Sequence, residues 1–402
     1  MNRKRNVGLA ALGALVALSG CGAAEEAVEQ PHGYVAGAAE ASEAQSAIAY
    51  AARGARRLHL LDLATEQEKQ VELAVAAGTL GEDGRFVYVS DGDRTLEIVD
   101  SGGWTVDHTD HVHYYRAPAK TLGTVVFERP VRTVAGGGAY TTAGTDDGRI
   151  RVFDRRQLEE GRITEVATID SGSATALAVP YGEGLLVAVG DDPDQPASRI
   201  VAMDADGRET GTFHTPCQAP RDWVVLRGGV MIDCADSLVR IKQLDGRLAA
   251  QAIDSPGSRA TTGSQTATGG PALTGGFGYR PRSNEAAVAT ADGIVSVNAA
   301  KATARLVPSG GRDLTTAVSP ADSRTALALD TSGTLISFDL ESGRKLAEKP
   351  LRAATLTLDV SRAYLAEPAA GVIHEIDYAD RLRTARTLRT TERPDLLVEV
   401  GR

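Results

Sequence analysis

From about residue 47 onward, the chain alternates short apolar runs with turns rich in Gly, Asp and Ser. The runs are dominated by Val, Ile, Leu, Thr and Tyr, which favour β-strands, and none shows a convincing helical period. A run of alternating residues, usually ending in an acidic or amide residue, recurs at residues 58–62, 96–100, 150–154, 200–204, 238–242, 294–298, 335–339 and 373–377. A second short strand precedes each of these runs, so the pattern predicts an all-β repeat protein.

The spacing of these repeats predicts a β-propeller. Repeats of about 40–50 residues with four short strands each are typical of this architecture. Eight runs favour eight blades, and seven remain an alternative if one run is a decoration. No strand precedes residues 47–51 in the first repeat, whereas residues 396–400 are a surplus strand after the last. We therefore expect one propeller domain, residues 47–402, whose ring is closed by the C-terminal strand completing the first blade.

Two insertions interrupt the regular spacing, at residues 102–119 and 254–282. Loops of such length in a compact domain are usually functional or disordered. The second insertion is rich in Ser, Thr and Gly and has no cluster of titratable residues, which favours a flexible loop. The first contains three of the seven histidines of the chain and is the candidate functional site.

The histidines of the first insertion are His108, His111 and His113. In an extended segment His111 and His113 point to the same side, because strand side chains alternate with a period of two. His108 joins them only if the backbone turns near residues 109–110. Imidazole nitrogen is a preferred ligand of zinc, so all three are candidate metal ligands.

Two aspartates accompany these histidines. Asp107 or Asp110 could supply a further metal ligand or hold a histidine in the required tautomer. Because metal ligands must be deprotonated, zinc affinity is expected to fall in the acid range where histidines take up protons. The alternative is a solvated polar loop, packed against the fold by Tyr114 and Tyr115.

The remaining histidines are scattered along the chain. His59 and His374 lie inside predicted strands, where a histidine is usually structural. His214 is close to Cys217 and is a candidate ligand or orienting residue.

The N-terminus resembles the export signal of bacterial lipoproteins. A basic start at residues 3–5 is followed by a short apolar run and by Leu-Ser-Gly-Cys at residues 18–21, which is similar to the lipobox. In that family the cysteine is acylated and becomes the new N-terminus, which implies lipidation of Cys21 and removal of residues 1–20. A plain secretory signal is the alternative. Residues 21–46 have few large apolar side chains and are expected to be a disordered tether.

Charge and export limit the partners. Removing residues 1–20 takes away three positive charges and changes the formal net charge from −10 to about −13. Such an acidic chain is a poor candidate for binding nucleic acid. We expect an extracytoplasmic monomer anchored to the cell membrane by its lipid. In an oxidising compartment Cys217 and Cys234 are expected to form a disulfide, which would contribute about 3 kcal/mol.

Together these features resemble the AztD-type zinc metallochaperones. The resemblance covers most of the chain from about residue 47. It rests on an exported propeller, a D-H-x-x-H-x-H insertion in an early blade, two cysteines in a middle blade, and His-Glu-Ile-Asp-Tyr-Ala-Asp at residues 374–380. It implies a protein that binds zinc through histidines and hands it to the solute-binding component of a zinc ABC importer. Carried over to this chain, the site residues are His108, His111 and His113, with Asp107 and Asp110 beside them.

The chain departs from this family at three places. Residues 173–177 stand where family members have a His-His-Gly-Val type of sequence, and no histidine stands ahead of Val131. The histidine-glycine pair expected shortly after Cys217 is also missing. A site built from several blades is therefore incomplete here, and zinc binding either rests on the one loop, is weakened, or is lost.

The sequence favours the first of three functions, keeps the second as its alternative and ranks the third last. The first is a lipid-anchored, non-enzymatic zinc-binding protein that delivers or scavenges zinc for an ABC importer. The second is a propeller lipoprotein that binds a protein or glycan partner and has no metal role. The third is an enzyme such as a propeller lyase or lactonase, for which we find no carboxylate–histidine constellation shared between blades.

Overall fold

The computed structural model describes residues 37–108, 111–235, 237–254 and 276–402. Within these ranges the chain forms 35 strands and one short helix, α1 (Arg155–Glu159). No helix in the described part of the chain is both long enough and apolar enough to cross a membrane. The protein is therefore all-β, as the alternating pattern predicts.

The strands form eight blades of four antiparallel strands each within the described ranges. The strands of each blade are given from the inside outward. Blade 1 consists of β35 (Leu396–Val400), β2 (Ala47–Ala51), β3 (Arg57–Asp62) and β4 (Glu68–Glu72), and blade 2 of β5 (Thr79–Glu82), β6 (Phe86–Ser90), β7 (Thr95–Asp100) and β10 (Lys120–Val126). Blade 3 consists of β11 (Val131–Gly137), β12 (Tyr140–Thr145), β13 (Arg149–Asp154) and β14 (Glu165–Asp170), and blade 4 of β15 (Ala178–Tyr181), β16 (Gly184–Val189), β17 (Arg199–Met203) and β18 (Glu209–Thr212). Blade 5 consists of β19 (Asp222–Leu226), β20 (Gly229–Asp233), β21 (Leu238–Leu244) and β22 (Arg247–Ile253), and blade 6 of β23 (Gly278–Tyr279), β24 (Glu285–Thr290), β25 (Gly293–Asn298) and β26 (Thr303–Pro308). Blade 7 consists of β27 (Leu314–Ser319), β28 (Thr325–Asp330), β29 (Thr334–Asp339) and β30 (Lys345–Pro350), and blade 8 of β31 (Thr357–Leu358), β32 (Ala363–Glu367), β33 (Val372–Asp377) and β34 (Arg383–Arg389).

This arrangement confirms the predicted propeller and the preferred count of eight blades. Each of the eight recurring runs in the sequence is the third strand of a blade. Blades 6 and 7 are also joined to each other, because β23 and β27 pair in parallel. The first strands of neighbouring blades contact one another between blades 1 and 2, 3 and 4, 6 and 7, and 8 and 1.

The ring closes through the C-terminal strand, as predicted. β35 pairs antiparallel with β2, so that Ala47 lies opposite Val400 and Ala51 lies opposite Leu396. Blade 1 thus takes its innermost strand from the end of the chain and its other three from the beginning. The closure joins the two ends of the propeller sequence by backbone hydrogen bonds.

The hydrophobic core consists of eight clusters among the described residues, one between each pair of adjacent blades. A central strand such as β6 is buried along its whole length, because a neighbouring blade covers each of its faces. Outermost strands such as β30 are largely exposed. The last of the clusters packs blade 8 against blade 1 and so completes the ring.

The N-terminal segment is more ordered than predicted. Residues 1–36, which include Cys21 and most of the expected tether, lie outside the described residues. However, β1 (Ala39–Ala41) is a strand that pairs with β9 (Val112–Arg116). The expectation of a disordered tether is therefore wrong for these three residues. Their order comes from backbone pairing with an available strand edge, which a composition argument based on apolar side chains does not detect.

Candidate metal site

The first insertion forms a β-hairpin between the third and the outermost strands of blade 2. Its strands are β8 (Gly103–Asp107) and β9, and with β1 they form a three-stranded sheet in the order β1-β9-β8. Asp107 lies opposite Val112, and Val106 lies opposite His113. At the tip, the backbone N–H of His108 donates to the carbonyl oxygen of His111 at 3.0 Å. This bond extends the strand register to the two histidines.

The register places the three histidines on one face of the hairpin. His108 and His111 stand opposite each other, and residues opposite each other in an antiparallel pair project to the same side. His113 follows His111 by two positions and therefore shares that side. The sequence predicts this relation for His111 and His113, and it makes His108 conditional on a turn. The structure meets this condition, because His108 and His111 are paired across the hairpin.

The three imidazoles form a compact cluster. One ring nitrogen from each of His108, His111 and His113 lies within 4.8 Å of the other two. The ring centroids are 4.8 Å apart for His108 and His111, 5.4 Å for His108 and His113, and 5.0 Å for His111 and His113. His111 is exposed, and the other two are partly exposed. We refer to these residues as the histidine cluster.

The distances fit a zinc ion after small side-chain rotations. Imidazole nitrogens bind zinc at about 2.0–2.1 Å, which places two ligand nitrogens of a tetrahedral site about 3.4 Å apart. The largest separation in the cluster exceeds this value by at most about 1.4 Å. Three neutral imidazoles are a ligand set that zinc uses in sites with one open position. The cluster can therefore hold zinc while leaving one coordination position accessible.

The base of the hairpin is fixed to blade 2 by aromatic packing. Trp104 and Tyr115 are both buried, and their rings stack with centroids 5.4 Å apart. The guanidinium of Arg85 lies 3.9 Å from the centre of the Trp104 ring. Nη2 of the same guanidinium donates to Oδ2 of Asp100 at 2.8 Å. Trp104 and Tyr115 lie on the face of the hairpin that carries the histidine cluster, so the cluster projects from a well-packed base.

A carboxylate from the N-terminal strand β1 contacts one histidine of the cluster. Oε1 of Glu40 lies 2.7 Å from Nδ1 of His113. Burial raises the pKa of Tyr115, and the negative charge of Glu40 raises it further, so this phenol stays neutral. Sequence reasoning misses Glu40 because it assigns residues 21–46 to a tether. No local motif marks this glutamate, since its partner is 73 positions away along the chain.

Of the two predicted aspartates, Asp107 is not a member of the histidine cluster. Asp107 precedes His108 in the strand and so points to the opposite face of the hairpin. Its Oδ2 accepts a hydrogen bond from Nη2 of Arg227 at 2.6 Å. Arg227 lies between β19 and β20 of blade 5, so this ion pair ties the hairpin to a distant blade. Asp110 lies outside the described residues.

The other predicted residues lie elsewhere in the propeller. His214 is exposed in the connection between β18 and β19 and is not a member of the histidine cluster. His59 is buried in β3, with its Nδ1 2.7 Å from Oε1 of Glu68, as a structural histidine would be. Likewise, in β33, Nε2 of His374 lies 2.9 Å from Oε2 of Glu367.

The two cysteines of the middle blade are joined in the structure. Cys217 and Cys234 form the predicted disulfide, with their Cα atoms 5.1 Å apart. The bond links the segment before β19 to the end of β20. It therefore belongs to the frame of blade 5 rather than to the histidine cluster.

Comparison with known proteins supports the fold. No protein-family model matches the chain, and no curated protein matches it in sequence. A crystal structure of AztD from Citrobacter koseri is similar with a TM-score of 0.69 at 15% identity, covering 88% of this chain and 97% of that one. The apo form of the same protein gives a TM-score of 0.71 at 14% identity, covering 89% and 98%. BamB from Moraxella catarrhalis is more distant, with a TM-score of 0.50 at 15% identity, covering 82% and 90%. The chain is thus an AztD-like protein in its fold, similar to the Citrobacter koseri structures along most of its length.

Proposed function

We propose that this protein binds zinc through His108, His111 and His113 and delivers or scavenges the ion outside the cytoplasm. The observation that carries the proposal is the convergence of three imidazoles on one face of a well-anchored hairpin. Convergence of this kind requires a specific register and turn. A solvated loop that is merely rich in histidine would have no need of either.

The geometry suits transfer better than permanent storage. Three protein ligands leave one position of a tetrahedral zinc ion for water or for a group from another protein. His111 is exposed, so an incoming ligand can reach the metal without a rearrangement of the propeller. A receiving protein would add its own ligand first and then displace the histidines one at a time.

The likeness to AztD supports the same interpretation. The family resemblance implies a receiving partner, which we propose is the solute-binding component of a zinc ABC importer. We also propose that the protein is not an enzyme and that a lipid on Cys21 attaches it to the outer side of the cell membrane. Replacing Cys21 with Ser should then move the protein from the membrane fraction to the soluble fraction. Retention of the variant in the membrane fraction would contradict lipid attachment.

Calorimetric titration with zinc tests the central proposal. The soluble protein, residues 22–402, retains every residue that the structure describes and should bind one zinc ion. A variant with His108, His111 and His113 all replaced by Ala should lose this binding. His214→Ala is the matched control, because it removes an exposed histidine outside the cluster and should leave binding unchanged. Equal binding by the triple variant and the wild type would refute the proposal.

The alternative function makes a different prediction in the same experiment. A propeller that binds a protein or glycan partner without a metal role would show no zinc binding at micromolar concentration. The departures from the family at residues 173–177 and near Cys217 favour that alternative. The histidine cluster favours zinc, because its members come together within a single insertion and need no histidine from another blade.

A further inference from the structure

The sheet that carries the histidine cluster contains a strand from outside the propeller. β1 lies beside β9, with Ala39 opposite Arg116, Glu40 opposite Tyr115 and Ala41 opposite Tyr114. Because Glu40 is opposite Tyr115, its side chain projects to the face that also carries His113. The N-terminal segment thus brings a carboxylate to the cluster by backbone pairing alone.

The contact between Glu40 and His113 has a defined chemical direction. An ionised carboxylate can only accept hydrogen bonds, so Nδ1 of His113 must carry the hydrogen in the 2.7 Å contact. In the neutral ring, the other nitrogen, Nε2, then has its lone pair available for a metal. A carboxylate that accepts from a metal-binding histidine fixes the ring orientation and makes the ligand nitrogen more basic.

We propose that Glu40 is the positioning residue of the metal site, and that docking of β1 on β9 completes the site. This inference rests on the proposed zinc function and adds a component to it. In the metal-free protein, Glu40 holds His113 in the tautomer that zinc requires. Zinc affinity is therefore linked to the N-terminal segment, and a partner that displaced β1 would weaken the hold on the ion.

Zinc titration of two matched variants provides the first test. Glu40→Ala removes the carboxylate, whereas Glu43→Ala removes an exposed glutamate three positions further along that lies outside β1. Loss of an orienting partner typically weakens metal affinity about 10–100-fold, so Glu40→Ala should raise the Kd for zinc at least about tenfold. Glu43→Ala should match the wild type. Equal Kd values for Glu40→Ala and the wild type would overturn the inference.

The tautomer of His113 provides the second test and needs no metal. In the ¹⁵N spectrum of the metal-free wild type, His113 should show a protonated Nδ1 and an unprotonated Nε2. Glu40→Ala should shift the ring toward a mixture of tautomers, while the circular dichroism spectrum stays unchanged. A weaker Kd without a change of tautomer would also overturn the inference, because the effect would not act through ring orientation.

These two readouts separate the inference from the proposed function. If the wild type binds no zinc, the proposed function fails, and the tautomer measurement still reports whether Glu40 holds His113. If the wild type binds zinc but the two variants do not differ from each other, only the role of Glu40 fails.

Discussion

Closure of the ring by β35 leads to a quantitative prediction about Leu396. This side chain is only 4% exposed and packs in the cluster between blades 1 and 2. Leu396→Ala removes three carbon atoms, and each buried carbon contributes about 0.8 kcal/mol, which gives about 2.4 kcal/mol. A residual cavity adds to this loss, so the free energy of unfolding should fall by about 3–4 kcal/mol.

The neighbouring residue Leu397 provides an internal control. It lies in the same strand but is only partly buried, against the cluster between blades 8 and 1. Leu397→Ala should therefore cost roughly half as much, about 1–2 kcal/mol. Backbone pairing with β2 is the same in both variants, so the difference reports side-chain burial alone.

Urea unfolding followed by fluorescence measures both losses. The midpoint should fall further for Leu396→Ala than for Leu397→Ala, without a change in the dependence on urea. If the two variants were equally stable, or if Leu396→Ala matched the wild type, β35 would not be contributing to the core in the way described. The reasoning about closure would then be refuted.

Three further expectations concern protonation, metal binding and the disulfide. Burial raises the pKa of Asp222 from 3.8 to about 7. Between about pH 4 and about pH 7 the folded wild type therefore holds a proton that the unfolded wild type loses, so its free energy of unfolding falls as pH rises. In urea titrations, the free energy of unfolding of Asp222→Asn should rise relative to the wild type over this range, by at most about 1.4 kcal/mol per pH unit. A relative stability that does not depend on pH would contradict this assignment. Zinc at a hundred times its Kd should raise the free energy of unfolding by about 2.7 kcal/mol, and it should not do so in the variant that lacks the histidine cluster. Replacing Cys217 and Cys234 with Ser should lower the free energy of unfolding by about 3 kcal/mol while leaving calorimetric zinc binding unchanged.

The blade pattern is predictable because the signals that produce it are local. Apolar alternation over five or six residues defines each third strand, and the turn residues between strands limit its length. Ring closure is also visible, since a surplus strand at residues 396–400 matches a missing one before residue 47. These features depend on neighbouring residues or on simple counting, and the structure confirms them.

The histidine cluster is only partly predictable, because some of the contacts that form it are not local in sequence. The period of two brings His111 and His113 together, but the place of His108 depends on a chain reversal that the residue types allow without requiring it. Glu40 is 73 positions from His113, and Asp107 is 120 positions from Arg227. No periodicity links residues so far apart. Glu40 reaches His113 through the pairing of β1 with β9, and Asp107 reaches Arg227 through the folding of the ring.

If Cys21 carries the proposed lipid, the position of β1 also limits how far the histidine cluster can lie from the membrane. Seventeen residues, 22–38, lie between Cys21 and the first residue of β1, so 18 Cα–Cα steps join the two. Even fully extended, they span no more than about 65 Å. A lipid on Cys21 would therefore be joined by a short linker to β1, which lies beside the histidine cluster rather than on the far side of the propeller. The histidine cluster would stay within reach of a transporter in the same bilayer. Transfer of a bound ion would then require a search over a small volume instead of free diffusion.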